Sequence, residues 1–400
     1  MSQLKDALVQ YFRGHIKEGN TKCLGVEVEH FIVDRKTKRA VPYEGEYGVR
    51  FVLEQLIREF PDAERLKGED FFGFTTEDFS ITIEPAAQLE ISIAAREEIQ
   101  AVQEIYERFR EKLQPVLDKL DYEALNVGCQ PVSKVRDLKL IPKKRYDLMN
   151  RHFEKTGTGG IEMMRGSAST QVSIDYFSEE DFRKKIQAAY LLMPLFQLLN
   201  DNAPFFEGKE LEGYLQRTGI WRRTDDARTG ILPHIFNSDY GFEDYADFLC
   251  NMPPIFLQKK GEIVPTGMAT SEEVFSDREV TEEDVLHLLS MAFPDVRLKS
   301  YLEIRGADSV PLERVLAYCG LVKGMLYSQK GLDFCQRFIR EHQVQVEDIL
   351  KTQDRIMQKG WEGCFYEIPA HRFAKQVIEI AKEELPASER EYLTVYEKSI

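Results

Sequence analysis

The 400-residue chain lacks most of the features that announce a function class. Its six cysteines (Cys23, Cys129, Cys250, Cys319, Cys335, Cys364) are scattered, and none forms a C-x-x-C pair. That spacing indicates neither a zinc site nor a compact disulfide framework, and it predicts reduced thiols. No apolar run reaches the roughly 20 residues of a membrane-spanning helix. The longest, around Ala188 to Leu199, is broken by Pro194 and Gln197. Positive charge is in deficit, with 53 Lys and Arg against 68 Asp and Glu, a net charge of −15. The deficit argues against a nucleic-acid binder and against a protein held on anionic lipid. No G-x-x-x-x-G-K-[ST] loop occurs, and no G-x-G-x-x-G follows a strand, so neither a P-loop nor a Rossmann turn is available to a nucleotide. The N-terminal MSQLKDALVQYFRGHIKEG has charges throughout and no apolar signal core, which leads us to expect a cytoplasmic protein.

Repeats, low-complexity tracts and Pro/Ser-rich linkers are also missing. We therefore expect one domain over residues 1–400, with a sheet-forming part over about 20–310 and a helical part over about 311–400. Leu4, Leu8, Phe12 and Ile16 predict an amphipathic helix. Strands are expected over Cys23 to Asp34, Phe79 to Ala94 with a break at Pro85, Thr170 to Asp175, and Leu298 to Arg305. Helices are expected over Phe51 to Phe60, over Arg96 to Leu120, and after Ser178, which opens a capping-box pattern.

The strands carry the informative pattern, because side chains alternate faces with period two. Val26, Val28 and Ile32 oppose Glu27 and Glu29. Leu89, Ile91 and Ile93 oppose Gln88, Glu90 and Ser92. Val172 and Ile174 oppose Gln171, Ser173 and Asp175, while Leu298, Leu302 and Ile304 oppose Arg297, Lys299, Tyr301, Glu303 and Arg305. Each strand has an apolar face suited to helices and a polar face rich in acids. Two readings fit such a face: a solvated sheet with acidic spacing, or a sheet whose converging carboxylates are neutralised by a cation. Carboxylates without thiolates favour a hard ion, Mg²⁺ or Mn²⁺, over zinc. Arg145, Arg165, Arg217, Arg228, Arg297 and Arg305 lie near these strands or near Gly-containing loops, and metal with arginine is the equipment of phosphoryl transfer. The Gly157–Gly160 stretch reads as a mobile loop or lid rather than a phosphate cradle. His30 falls in the apolar phase and is expected in the core. Trp221 is open to two readings, a buried anchor or a residue folded over a ligand.

The segments GVEVEH, EPAAQLEIS, RYDLMNRHF, MMRGSASTQVSID, NDNAPFFEG, IWRRTDDARTGILP and FPDVRLKSYLEIRGAD, in that order, resemble the plant-type glutamate–cysteine ligase family. The resemblance implies an α+β fold: a curved, mainly antiparallel sheet backed by helices and related to glutamine synthetase and the guanidino kinases. It implies ATP as co-substrate and roughly two or three Mg²⁺ ions, with Mn²⁺ as the alternative. The reaction it implies phosphorylates the glutamate γ-carboxylate and then joins it to the cysteine amine. By the same resemblance Glu27, Glu29, Glu84, Glu90 and Glu303 are metal ligands, with Glu90, Glu303 and Arg305 at the reacting centre. Arg145, Tyr146, Arg165, Gln171, Tyr214, Arg217, Trp221, Asp225, Arg228, Arg297 and Lys299 are the expected substrate and nucleotide contacts. Partners are small molecules alone, with no nucleic acid and no membrane, and oligomeric state is left open.

The chain departs from the family pattern at Ala86-Ala87 and Ser309-Val310, where plant members carry Gly-Gly, and at Ser167, where Thr is usual. These changes bear on the acceptor more than on the ligase chemistry, and the alternative is a ligase of the same fold that joins glutamate to another amine. The plastid extension of plant members is not found, in keeping with the cytosolic expectation.

Overall fold

A computed structural model describes residues 2–68, 70–259 and 262–400. Its main sheet has nine strands: β1 (Leu24–Asp34), β2 (Glu64–Arg65), β3 (Gly73–Thr75), β4 (Phe79–Ile83), β5 (Leu89–Arg96), β6 (Tyr122–Leu125), β7 (Ser169–Ile174), β8 (Val296–Leu298) and β9 (Leu302–Asp308). The order is β8-β9-β7-β1-β5-β4-β3-β2, with β6 also paired to β1, and every pairing is antiparallel. The architecture is α+β, an antiparallel sheet with helices packed on it.

The helices used below are α1 (Gln3–Gly14), α2 (Val49–Leu56), α3 (Ile99–Asp118), α4 (Lys144–Thr156), α5 (Gly160–Gly166), α6 (Glu179–Leu199), α7 (Gln216–Trp221), α8 (Leu312–Leu326), α9 (Gln329–His342), α10 (Val346–Lys359) and α11 (Ala370–Glu384). The apolar phase of the strands sets the layering. Val26, Val28, Leu89, Ile91, Val172, Ile174, Leu302 and Ile304 are all buried, with α3 against β5 and β6 and α6 against β9. His30 lies in that phase and is buried as expected, bonded to the Leu89 carbonyl and the Tyr106 hydroxyl at 3.1 and 2.9 Å. Ser178 caps α6 through the Asp181 amide. The acids of the other phase are left on the open face.

One expected element is corrected. Leu298 to Arg305 is not one strand; the chain reverses at Lys299–Tyr301, closed by Lys299 N to Tyr301 O at 2.8 Å, and β8 pairs back onto β9. The reversal puts Arg297 directly opposite Glu303. Cross-strand partners point to the same face, so the polar set stays together although the strand does not continue.

The C-terminal helices join the sheet half at buried points. Lys323 on α8 bonds the Glu97 carbonyl and ion-pairs with Glu389 at 2.8 Å, while Glu389 accepts from the Ile99 amide at the start of α3. Burying a charged pair is tolerated here because each partner also bonds backbone. Among the described residues no helix is long and apolar enough to cross a membrane.

Candidate active site

Two adjoining cavities lie over the open face. The first, of about 360 Å³, is lined by Glu27, Glu29, Glu90 and Gln171 from the sheet, by Glu84 and Gln88 from the turn between β4 and β5, and by Lys143, Arg145, Tyr146, Arg217, Trp221, Phe293, Arg297, Lys299 and Arg305 around them. The second, of about 420 Å³, shares Glu27 and runs past Ser92, Ser80, Phe79, Thr76, Ser173, Asp175, Cys23 and Tyr301. Glu27 thus stands at the boundary between a strongly charged chamber and one lined mainly by small polar and apolar groups.

Strand register brings the acids together. Glu29 faces Glu90 across β1–β5, and Glu27 faces Gln171 across β1–β7. Glu84 joins them from the turn between β4 and β5, where Ala87 N closes on Glu84 O at 3.0 Å and Ala87 takes φ +70°. Gln88 pins that turn, accepting from the Ala86 amide at 2.8 Å and donating to the Ser167 carbonyl at 3.1 Å.

Electrostatically the acids fall into two kinds. Burial, reinforced by Glu90 and Glu303, pushes Glu27 up to about 8. Burial, with Glu84 and Glu29 nearby, pushes Glu90 up to about 8, against hydrogen bonds from Thr82 and Ser92. Burial and Glu29 raise Glu84 to about 7, and burial raises Glu29 although Arg217 and Ser169 oppose the rise. All four carboxyls are shifted upward because their charged forms are desolvated and the acids repel one another. Glu303 is the opposite case. It is fully buried, yet Arg297, Lys299 and Arg305, at 2.7, 3.0 and 2.8 Å, outweigh the desolvation and hold it well below the carboxylate range. Arg305 also bonds Gln171, tying the cationic clamp to the floor.

The upper wall supplies donors. Arg145 Nε, Arg217 Nε and Trp221 Nε1 are all buried without a hydrogen-bond partner, and all three residues line the first chamber. Trp221 lies beneath two cations, with the Arg217 and Arg305 guanidinium carbons 5.5 and 5.6 Å from its ring centroid.

Four expected contacts line neither chamber and are corrected. Arg165 turns away to the Leu138 carbonyl and Asn150, each at 2.8 Å. Tyr214 is 41% exposed, its ring against Gly360. Asp225 and Arg228 are buried behind the wall, paired to each other at 2.6 Å. Burial of an arginine demands acceptors, and the ones within reach are protein groups rather than a ligand. The Gly157–Gly160 stretch, expected as a mobile loop, is a packed turn: Thr158 N and Gly159 N both donate to the Arg223 carbonyl. Conversely, Lys143, Thr82, Ser169 and Phe293 line the first chamber without having been expected there. Ser169 shares the phase of Gln171, which was the available signal, and it donates through N and Oγ to Glu29 at 2.8 and 2.9 Å.

Among the described residues no three His, Cys, Asp or Glu side chains are set to grip one ion by themselves. Mg²⁺ seldom needs such a cage, since it takes one or two carboxylates and completes its shell with water and substrate phosphates. An all-oxygen, mutually repelling floor is a donor set that fits it.

The family model for glutamate–cysteine ligase family 2 (GCS2) matches residues 23–391. The chain belongs to that family. Two relatives named glutamate–cysteine ligase, chloroplastic, are each 29% identical: that of Medicago truncatula over 95% of this chain and 75% of its own length, and that of Arabidopsis thaliana over 95% and 73%. Among solved structures, the glutamate–cysteine ligase of Francisella tularensis in complex with AMP shares the fold, with TM-score 0.56, 10% identity, and coverage of 95% of this chain and 82% of that one. The expectation of a cytoplasmic protein is corrected by the relatives, which are chloroplastic by name. β1, the β4–β5 turn, β7 and the β8–β9 hairpin, which build the floor and the cationic clamp, all lie within the matched residues.

Proposed function

We propose that the two chambers divide the work of the family's reaction. The protein is a glutamate–cysteine ligase: ATP phosphorylates the glutamate γ-carboxylate, ADP leaves, and the cysteine amine attacks the acyl carbon of γ-glutamyl phosphate, losing a proton and expelling phosphate. The observation that carries the division is the trio of unpartnered buried donors, Arg145 Nε, Arg217 Nε and Trp221 Nε1, above an acidic floor. Buried donors without acceptors are costly unless a ligand completes them, and amino-acid carboxylates supply acceptors. We assign the first chamber to the amino acids and the second, lined by Phe79, Thr76, Ser173 and Tyr301, to the nucleoside. The phosphates would then cross at Glu27, within reach of Arg297, Lys299 and Arg305.

Glu27, Glu29, Glu84 and Glu90 would hold Mg²⁺, or Mn²⁺, which when bound neutralises phosphate charge. Glu303, expected as a fifth ligand, is held by three cations; we assign it to orienting Arg297, Lys299 and Arg305 toward the transferred phosphoryl group. Tyr146 and Phe293 close the amino-acid chamber, and water excluded there is water kept from the acyl phosphate. We infer that the whole chain is one catalytic domain, since a single buried apolar cluster runs from Leu4 to Tyr396. We place the fold with glutamine synthetase and the guanidino kinases, supported by the antiparallel sheet with its acid-bearing open face. The product would enter glutathione-type thiol synthesis.

The test is ADP release with glutamate, cysteine and Mg-ATP, omitting each in turn. Full turnover should need all of them. Equal turnover with alanine or 2-aminobutyrate in place of cysteine would transfer the assignment to another acceptor amine.

A further inference from the structure

Arg228 is one of the largest fully buried side chains and touches neither chamber. Its Nε donates to Asp225 Oδ2 at 2.6 Å, and its terminal nitrogens donate to the Pro253 and Met291 carbonyls at 2.7 and 3.2 Å. Asp225 Oδ2 also accepts from His152 Nε2 at 2.7 Å, since a carboxylate has only acceptors to offer. The backbone continues the network. Arg228 O accepts from Phe293 N at 2.8 Å, and Thr229 Oγ1 donates to the carbonyls of Asp225 and Trp221 at 2.8 and 3.2 Å.

These bonds join three separate walls of the amino-acid chamber and no part of its floor. His152 belongs to α4, which carries Arg145 and Tyr146. Asp225 lies just beyond α7, the helix that ends in Trp221. Met291 lies between Ser290 and Phe293, both of which face the chamber. The Trp221 and Phe293 rings meet at 6.1 Å, and Arg145 reaches the Ser290 carbonyl at 3.5 Å.

We propose that Arg228, with Asp225 and His152, is a positioning group for the amino-acid substrate: it sets the spacing of Trp221, Phe293 and α4, and so the aim of Arg145 and Arg217. The proposal rests on assigning the first chamber to the amino acids. It separates two kinds of damage. The cluster makes no hydrogen bond to β1, β4 or β5, which carry most of the acidic floor and of the nucleoside chamber; its approach to the main sheet is through Phe293 and Asp295, just ahead of β8, so losing the cluster should weaken glutamate binding far more than ATP binding. General loosening of the protein would weaken both.

The experiment uses Arg228→Lys in a Trp361→Phe background, where Trp221 is the sole tryptophan. Lysine keeps the charge beside Asp225 but cannot bond both carbonyls in a planar fork. The glutamate KM should rise about tenfold, with the ATP KM within about twofold of wild type, and Trp221 emission should shift to the red before any substrate is added. His152→Gln, which keeps a donor toward Asp225, should show smaller changes than His152→Ala in the same three readouts. If Arg228→Lys fails to fold, the His152 pair decides alone. The proposal is overturned if both KM values move together, if neither moves, or if Trp221 emission is unchanged. Absence of glutamate-dependent ADP release in the wild-type protein would instead sink the chamber assignment, and Trp221 emission would still report on the cluster.

Discussion

Glu29 and Glu90 stand directly opposite one another in the β1–β5 ladder, both on the open face of the sheet. Like charges at such a pair destabilise a sheet, and burial raises both carboxyls. Glu27 and Glu90 are raised to about 8 and Glu84 to about 7 from an ordinary 4.5. A folded value above the unfolded one means that folding takes up protons. The stability this contributes is complete below the ordinary value and is lost as pH rises through the folded values.

The melting temperature in EDTA should therefore fall from about pH 4.5 to about pH 8 and level off above it, and Mg²⁺ should flatten the fall by replacing the protons. Glu90→Gln should also flatten it while abolishing turnover. Parallel melting curves with and without Mg²⁺ would show that these carboxylates are not the ion's ligands.

Glu303 answers to three cations at once, Arg297, Lys299 and Arg305. Glu303→Ala leaves buried positive charge without a partner, which typically costs about 3–5 kcal/mol. Denaturant unfolding should show a loss of that order, and ADP release and dipeptide formation should disappear together. A variant of unchanged stability that releases ADP normally would refute the clamp.

Trp221 covers the chamber in which the acyl phosphate would form. Trp221→Ala should keep measurable glutamate-dependent ATP cleavage but yield less γ-glutamylcysteine per ADP, because water gains access to the intermediate. The ratio of the two products is the measurement, and a wild-type ratio would count against the role.

All six cysteines are free, and none lines the first chamber. Burial raises the thiols of Cys250 and Cys319 to about 12, and lifts Cys129 and Cys335 well above the ordinary thiol range. Cys23 and Cys364 are the half-buried ones. Alkylation of the native protein at mildly alkaline pH should be confined to these two, and Mg-ATP should protect Cys23, which lines the second chamber. Protection of Cys364 but not Cys23 would move the nucleoside elsewhere. Replacing all six cysteines should leave substantial activity in a folded protein.

Alternation with period two is a local property, and it was enough to put Glu27, Glu29, Gln88, Glu90 and Gln171 on one polar face and Val26, Val28, Leu89, Ile91 and Val172 in the core. The break at Pro85 and the Ser178 cap were legible for the same reason, since turns and caps are made by near neighbours. Only the tertiary structure decided that Glu29 meets Glu90, that the chain reverses at Lys299 to aim Arg297 at Glu303, and that Arg165, Tyr214, Asp225 and Arg228 turn away from the chambers. An arginine in a motif can face a ligand or a carbonyl with equal ease by sequence spacing. Arg228 finds Pro253 and Met291, 25 and 63 residues away, and contacts at that separation are set by how helices and loops pack, which no local period encodes.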